Sequence, residues 1–202
     1  MKWIYGRQDW KTLERGLENC YLLTNGLGGF SSLTMTGAVA RNDHSVFMSC
    51  TKAPNHRINM IHRMKEELDI GESKYVLSTQ EFADGTKEEG YRYLTEFSFE
   101  ILPSWRYLIN GIEIEKEIVM AQGSNQIAVN YHLKNRGQKE AALCVTPFFQ
   151  FEPKGEDLKE DKIFSRQEQK ITDGKYALFF ETNGEVEGFI EKKETYFFEL
   201  CN

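Results

Sequence analysis

The chain has 202 residues, enough to bury one sizeable core, and its 31 acidic against 25 basic side chains give a formal net charge of −6. That balance, with the basic residues scattered, excludes the cationic footprint of a nucleic-acid binder. No run is apolar enough for a membrane span or a signal core, and the four cysteines (Cys20, Cys50, Cys144, Cys201) form no CxxC pair, so a reduced, cytoplasmic protein is expected.

In chain order, the first expected element is a short helix around residues 10–17. Next comes the segment 24–32, Thr-Asn-Gly-Leu-Gly-Gly-Phe-Ser-Ser, with three glycines in four positions that can take positive φ and let another backbone approach closely. A dinucleotide-binding loop is ruled out, because position 31 is Ser where a third glycine is needed and residues 33–40 read as extended rather than helical. The Gly-Lys-Ser/Thr ending of a phosphate-binding loop and the second glycine of a nucleophile elbow are also missing. The segment reads as a tight bend in a β domain. His44, His56, His62 and His132 show no metal-ligand spacing, and no metal is expected.

Period-two alternation dominates the remainder of the chain, helped by 14 Phe and 9 Tyr. Over residues 91–101 the predicted inner face carries Tyr91, Tyr93, Thr95, Phe97, Phe99 and Ile101, and the outer face Arg92, Leu94, Glu96, Ser98 and Glu100. Trp105 and Tyr107 share a face. Trp105 is the ring nominated to stack on a sugar, with core packing as the alternative. Residues 112–118 set Ile112, Ile114 and Ile118 against Glu113, Glu115 and Glu117, while Lys116 interrupts the apolar side. Residues 126–134 and 141–151 read as two further strands, 154–162 as a solvated loop, and 175–182 as a hairpin arm. The turn pairs Asp84-Gly85, Asn110-Gly111, Asp173-Gly174 and Asn183-Gly184, and the triplet 135–137, punctuate these runs. Short strands at this spacing predict an all-β sandwich or barrel. The chain stops within an apolar run, residues 196–202, so the native polypeptide is expected to continue, with a docked terminal strand as the rival explanation.

Glycoside hydrolysis needs two carboxyl groups flanking the scissile bond, and no such pair stands out among the acidic residues. The glycine-rich segment carries more information. Asn25-Gly26-Leu27-Gly28-Gly29-Phe30-Ser31-Ser32, then Thr34, Gly37, and Arg41 with His44, resembles the signature that opens the amino-terminal domain of bacterial and archaeal glycogen-debranching enzymes, the amylo-α-1,6-glucosidase family. That pattern runs T-N-G-L-G-G-Y-A-S-G-T, then G, then T-R-R-Y-H-G. Residues 40–45, Ala-Arg-Asn-Asp-His-Ser, keep only its Arg and His.

The resemblance implies a large antiparallel β-sandwich, a supersandwich like the glucoamylase amino-terminal domain, spanning residues 1–202 as one domain. In the native enzyme it would precede a carboxy-terminal (α/α)6 barrel holding the catalytic acids, so no catalytic residue and no cofactor are expected in this chain. The implied partners are that catalytic domain and an α-glucan, glycogen or branched dextrin, met through the full-length enzyme. Candidate glycan or interdomain contacts are Asn25, Gly26, Gly28, Gly29, Arg41 and His44, with Trp105 added as a sugar platform. The alternative is a free-standing carbohydrate-binding β-sandwich.

Overall fold

The structure, a computed structural model, describes residues 1–188. Strand β1 (Trp3–Gly6) leads through a 3₁₀ turn (Arg7–Trp10) into the short helix α1 (Leu13–Leu17), whose first turn Thr12 caps by accepting from the Arg15 N–H. Strands β2 (Leu23–Thr24), β3 (Phe30–Ser32), β4 (Ser45–Lys52), β5 (His56–Ile70) and β6 (Ser73–Val76) come next. A small hairpin, β7 (Thr79–Glu81) and β8 (Lys87–Glu89), precedes β9 (Leu94–Phe99), β10 (Pro103–Ile109), β11 (Ile112–Met120) and β12 (Ile127–Asn135). The last strands are β13 (Ala141–Pro153) and the short β14 (Ser165–Gln167), β15 (Lys170–Thr172) and β16 (Ala177–Phe179).

These strands make an all-β sandwich of antiparallel sheets. One sheet has the order β1-β9-β10-β11-β12, and the other β13-β5-β4-β3-β2 with β6 beside β5. The turn after β12 carries the chain from one sheet to the other. The core lies between them, with Phe97, Trp105, Tyr107, Ile114 and Ile118 on one side and Leu68 and Ile70 on the other. A three-stranded sheet, β14-β15-β16, covers a second aromatic cluster of Phe149, Phe151 and Phe164.

Strand β11 alternates without a break, burying Ile112, Ile114, Lys116, Ile118 and Met120. Lys116 therefore points its ammonium into the core, where it meets Glu66 of β5 at 2.5 Å across the two sheets. The Tyr131 hydroxyl, on β12, donates to the same carboxylate at 2.8 Å. Burial first, and the Glu66 charge second, hold the Tyr131 hydroxyl well above its usual titration range, so it stays a donor. The ammonium also lies 5.2 Å from the Trp105 ring centroid.

Several sequence expectations are corrected. Residues 91–101 do not form one strand: Tyr91 sits in a 3₁₀ turn and Ile101 is 79% exposed. Opposite β10, Arg106 pairs with Glu96 but Tyr107 with Leu94, so Thr95 is an extra residue. That bulge flips the side-chain parity and turns Leu94 inward, away from the predicted polar face. Residues 33–40 are not extended but turn at Gly37, whose N–H donates to the Thr34 carbonyl. The 154–162 loop is anchored at its end, Lys162 pairing with Glu152 at 3.1 Å and Asp173 at 2.8 Å. The predicted arm at 175–182 is ordered as strand only over Ala177–Phe179. The apolar run at 196–202 lies outside the described residues.

A buried charge left without its partner is expensive, about 3–5 kcal/mol. Lys116→Met should therefore lower unfolding stability by about that amount, and Lys116→Met combined with Glu66→Leu should recover most of it. Urea denaturation at pH 7 measures both; a single variant as stable as the parent would refute the role given to the pair.

Candidate functional site

The glycine-rich segment is the loop between β2 and β3, and Asn25 organises it. The Asn25 side-chain oxygen accepts from the N–H groups of Leu27 (3.0 Å) and Gly29 (2.9 Å). Its amide nitrogen donates to the Ser124 carbonyl (2.9 Å) and to Asn125 Oδ1 (3.1 Å) in the turn between β11 and β12. Asn125 in turn exchanges two hydrogen bonds with the Cys50 backbone on β4. Asn25 and Asn125 thus clamp one sheet to the other at this end of the sandwich.

The glycines answer to close packing. Gly28 has φ +101°, and a Cβ there would run into the Pro54 carbonyl oxygen. A Cβ at Gly29 would lie 2.7 Å from the Asn25 amide nitrogen and 2.9 Å from the Met48 carbonyl oxygen. The far wall of the loop is fixed by Arg57, at the start of β5, whose Nε donates to the Gly28 carbonyl at 2.6 Å.

Beside this loop opens a cavity of about 400 Å³, lined by Gly28, Gly29, Phe30, Arg41, His44 and Arg57 among others. The tight turn at 41–44, closed by the His44 N–H donating to the Arg41 carbonyl, brings the Arg and the His of the motif to it. His44 is 2% exposed, and its Nδ1 accepts from the Ala40 N–H at 3.1 Å. A neutral ring bonded in this way carries its proton on Nε2, and that buried nitrogen makes no hydrogen bond of normal geometry. Burial pushes the His44 pKa down to about 4; Asp43 and the Ala38 backbone oppose this shift and Arg41 reinforces it. Asp43, on the rim, pairs with Lys154 at 3.2 Å.

The chain matches the family model described as "Glycogen debranching enzyme N terminal" over residues 19–199. It belongs to that family. Among curated proteins, the membrane protein insertase YidC of Thiobacillus denitrificans is 32% identical over 60 residues, 30% of this chain and 11% of that protein. The chain thus covers only a small part of that relative's length. No solved structure gives a significant match. Among the described residues, no helix is long and apolar enough to cross a membrane, and no group of three or more His, Cys, Asp or Glu side chains is placed to hold a metal.

Four nominated residues of this family's motif, Gly28, Gly29, Arg41 and His44, come together at the cavity. Gly26 lies on the exposed outer part of the loop, facing the side chain of Gln122. Asn25 is fully buried, with its amide wholly used inside the domain, so it fastens the loop rather than offering a contact. Trp105 corrects the sugar-platform expectation. It is 0% exposed, its Nε1 donates to the Met35 carbonyl at 2.8 Å, and its ring packs against Tyr21 and Phe97. Arg57 was not nominated from the sequence: it stands outside the motif and reaches the loop only through the pairing of β4 with β5.

The clamp and the buried histidine can each be measured. Asn25→Ala strands the buried Gly29 N–H and the part-buried Leu27 N–H and Ser124 carbonyl, which at up to about 1–3 kcal/mol for each unsatisfied group should make it among the most destabilising alanine variants of the domain. A melting temperature within a degree of the parent would refute the clamp. His44 should also make stability depend on pH. Its folded pKa of about 4 lies below the ordinary 6.5, so the unfolded chain binds the proton more readily. The contribution is complete above pH 6.5 and is lost as the pH falls toward 4, on the order of 3 kcal/mol. His44→Asn, which keeps an acceptor near the Ala40 N–H but does not titrate, should flatten the stability profile over that window.

Proposed function

We propose that this chain is the non-catalytic amino-terminal domain of a glycogen-debranching α-1,6-glucosidase, which supports a carboxy-terminal helical catalytic barrel and turns its glycine-loop cavity toward the α-glucan cleft. The family match supports the parent activity, and the juxtaposition of Gly28, Gly29, Arg41 and His44 on one cavity supports the contact face. One observation carries the non-catalytic part. Hydrolysis of a glycosidic bond calls for two carboxyl groups on either side of it, and the cavity offers a single carboxylate, Asp43, already neutralised by Lys154. Arg and His can orient a glucan and exclude water, but they do not replace that pair.

In this reading the catalytic acids stand on the barrel, and the sandwich contributes binding and position. A rigid loop is what such a surface needs, because a contact held by a mobile segment would lose affinity to ordering entropy. The Asn25 clamp supplies that rigidity.

Glucose release from glycogen and from branched dextrin tests the proposal. The 202-residue chain alone should release none. In the full-length enzyme, Arg41→Glu should lower kcat/KM for branched dextrin by about tenfold, chiefly through KM, with the melting temperature unchanged, since Arg41 is exposed. Hydrolysis by the isolated chain would overturn the non-catalytic reading. Unchanged kinetics in the variant would remove this cavity from the cleft. Strong glucan affinity of the isolated chain, together with a native polypeptide that ends near Asn202, would instead favour the free-standing carbohydrate-binding module.

A further inference from the structure

The cavity carries more positive charge than a neutral sugar requires. In a chain with six more acids than bases, Arg7 and Arg166 stand without a carboxylate, but the other exposed arginines away from the cavity are answered by one: Arg15 by Glu18, Arg92 by Glu89, Arg106 by Glu115 and Arg136 by Glu113. The two arginines at the cavity are not. Among the described residues, the Arg41 side chain has no hydrogen bond or ion pair, and the Arg57 guanidinium spends only its Nε, on the Gly28 carbonyl. The terminal nitrogens of both guanidinium groups remain for a ligand. The one acid on the rim, Asp43, is matched by Lys154 and leaves the excess positive charge intact.

His44 adds an independent observation. Its Nε2–H is a buried donor that only the Ala38 backbone approaches, with no hydrogen bond of normal geometry, on a residue that lines the same cavity, and a poorly met buried donor costs stability unless something meets it. Its low pKa keeps the ring neutral at physiological pH, so it contributes a hydrogen bond rather than a third charge. The other walls are apolar: Phe30, whose ring lies 5.9 Å from the Arg57 guanidinium carbon, and Leu22, 59% exposed.

The geometry points to a site for a phosphate monoester carried on a glucosyl unit. A phosphate presents three terminal oxygens, matching three donor groups (Arg41, Arg57 and His44), and guanidinium forks bind such oxygens in pairs. A carboxylate brings a single negative charge to two guanidinium groups, whereas a phosphate monoester brings nearly two. The apolar wall suits the C–H face of a sugar ring, and about 400 Å³ is room for a hexose phosphate. The ester can come from a phosphorylated α-glucan or from a free sugar phosphate. The inference rests on the proposed glucan-facing role of this cavity and specifies the ligand chemistry that it receives.

Calorimetric titration of the full-length protein at about pH 7.5, where the His44 ring is neutral, decides it with four probes: glucose 6-phosphate, inorganic phosphate, unphosphorylated maltodextrin and maltodextrin bearing phosphate monoesters. Phosphorylated maltodextrin should bind about tenfold more tightly than the unphosphorylated polymer, as expected for charge-assisted hydrogen bonds, and added salt should narrow the gap. Arg41→Ala, on an exposed side chain with no role in the fold, should bring the ratio close to one. Tight binding of glucose 6-phosphate with no preference between the dextrins would support the free sugar phosphate as the source. Equal affinity for both dextrins, with no binding of glucose 6-phosphate, would overturn the phosphate site while leaving the glucan reading standing. Failure of every probe to bind would overturn both. Inorganic phosphate binding as tightly as glucose 6-phosphate would overturn the sugar-binding wall.

Discussion

A lysine and a glutamate, Lys116 and Glu66, face each other between the two sheets of the sandwich, and neither can be buried without the other. This sets the relation between the sheets more sharply than hydrophobic contact does, because apolar side chains accept many small offsets and a buried ion pair accepts few. Sliding β5 against β11 by one residue would leave two unpaired charges in the core. The hydroxyl of Tyr131 and the Trp105 ring complete the surroundings of the pair, so three strands of one sheet are tied to one strand of the other.

The same two strands also lead to the glycine loop. Strand β5 carries Glu66 near its far end and Arg57 at its beginning, where the guanidinium holds the Gly28 carbonyl. Strand β11 carries Lys116 and then runs into the turn whose Ser124 and Asn125 receive Asn25. The inter-sheet pin in the core joins β5 to β11, and the Asn25 clamp at the end of the sandwich joins the β2–β3 loop and β4 to the turn after β11, so both tie the same two sheets. Fixing one offset fixes the other, and the glycine loop is held between them.

Where the sequence was legible and where it was not has a common physical cause. Strand β11 could be read directly because one face is buried and one is wet, and even its interruption at Lys116 marked a real buried charge. Strands β4 and β5 left no such trace: Ser45 to Cys50 and Ile58 to Arg63 are buried on both faces, and a doubly buried strand has no alternation to read. Residues 91–101 showed a clear period of two, but the bulge at Thr95 inverted it, and a single inserted residue leaves no mark on composition. The motif stood out by its glycine density, whereas Arg57, which completes its site, is brought there only by strand pairing. Trp105 looked like a platform because an alternating aromatic pattern reads the same whether its ring faces a sugar or the core.

The two halves of the motif answer to different constraints. The half that matches the family pattern closely, residues 25–32, is mostly interior: Asn25, Gly29, Phe30, Ser31 and Ser32 are buried, and substitution at Gly28 or Gly29 meets backbone atoms that cannot move aside. It resists change because the fold resists change. The half that departs from the pattern, residues 40–45, reaches the surface at residues 41–43 before His44 and Ser45 return to the interior, and Asp43 stands there in place of the pattern's tyrosine, answered by Lys154, a residue far along the chain. A charge introduced at the rim and matched locally changes how the cavity looks to a ligand without disturbing the loop behind it. The Arg and His retained there bring donors to the cavity that the fold leaves largely unused, so the chemistry of the site rests on a different part of the signature from the one that holds the loop.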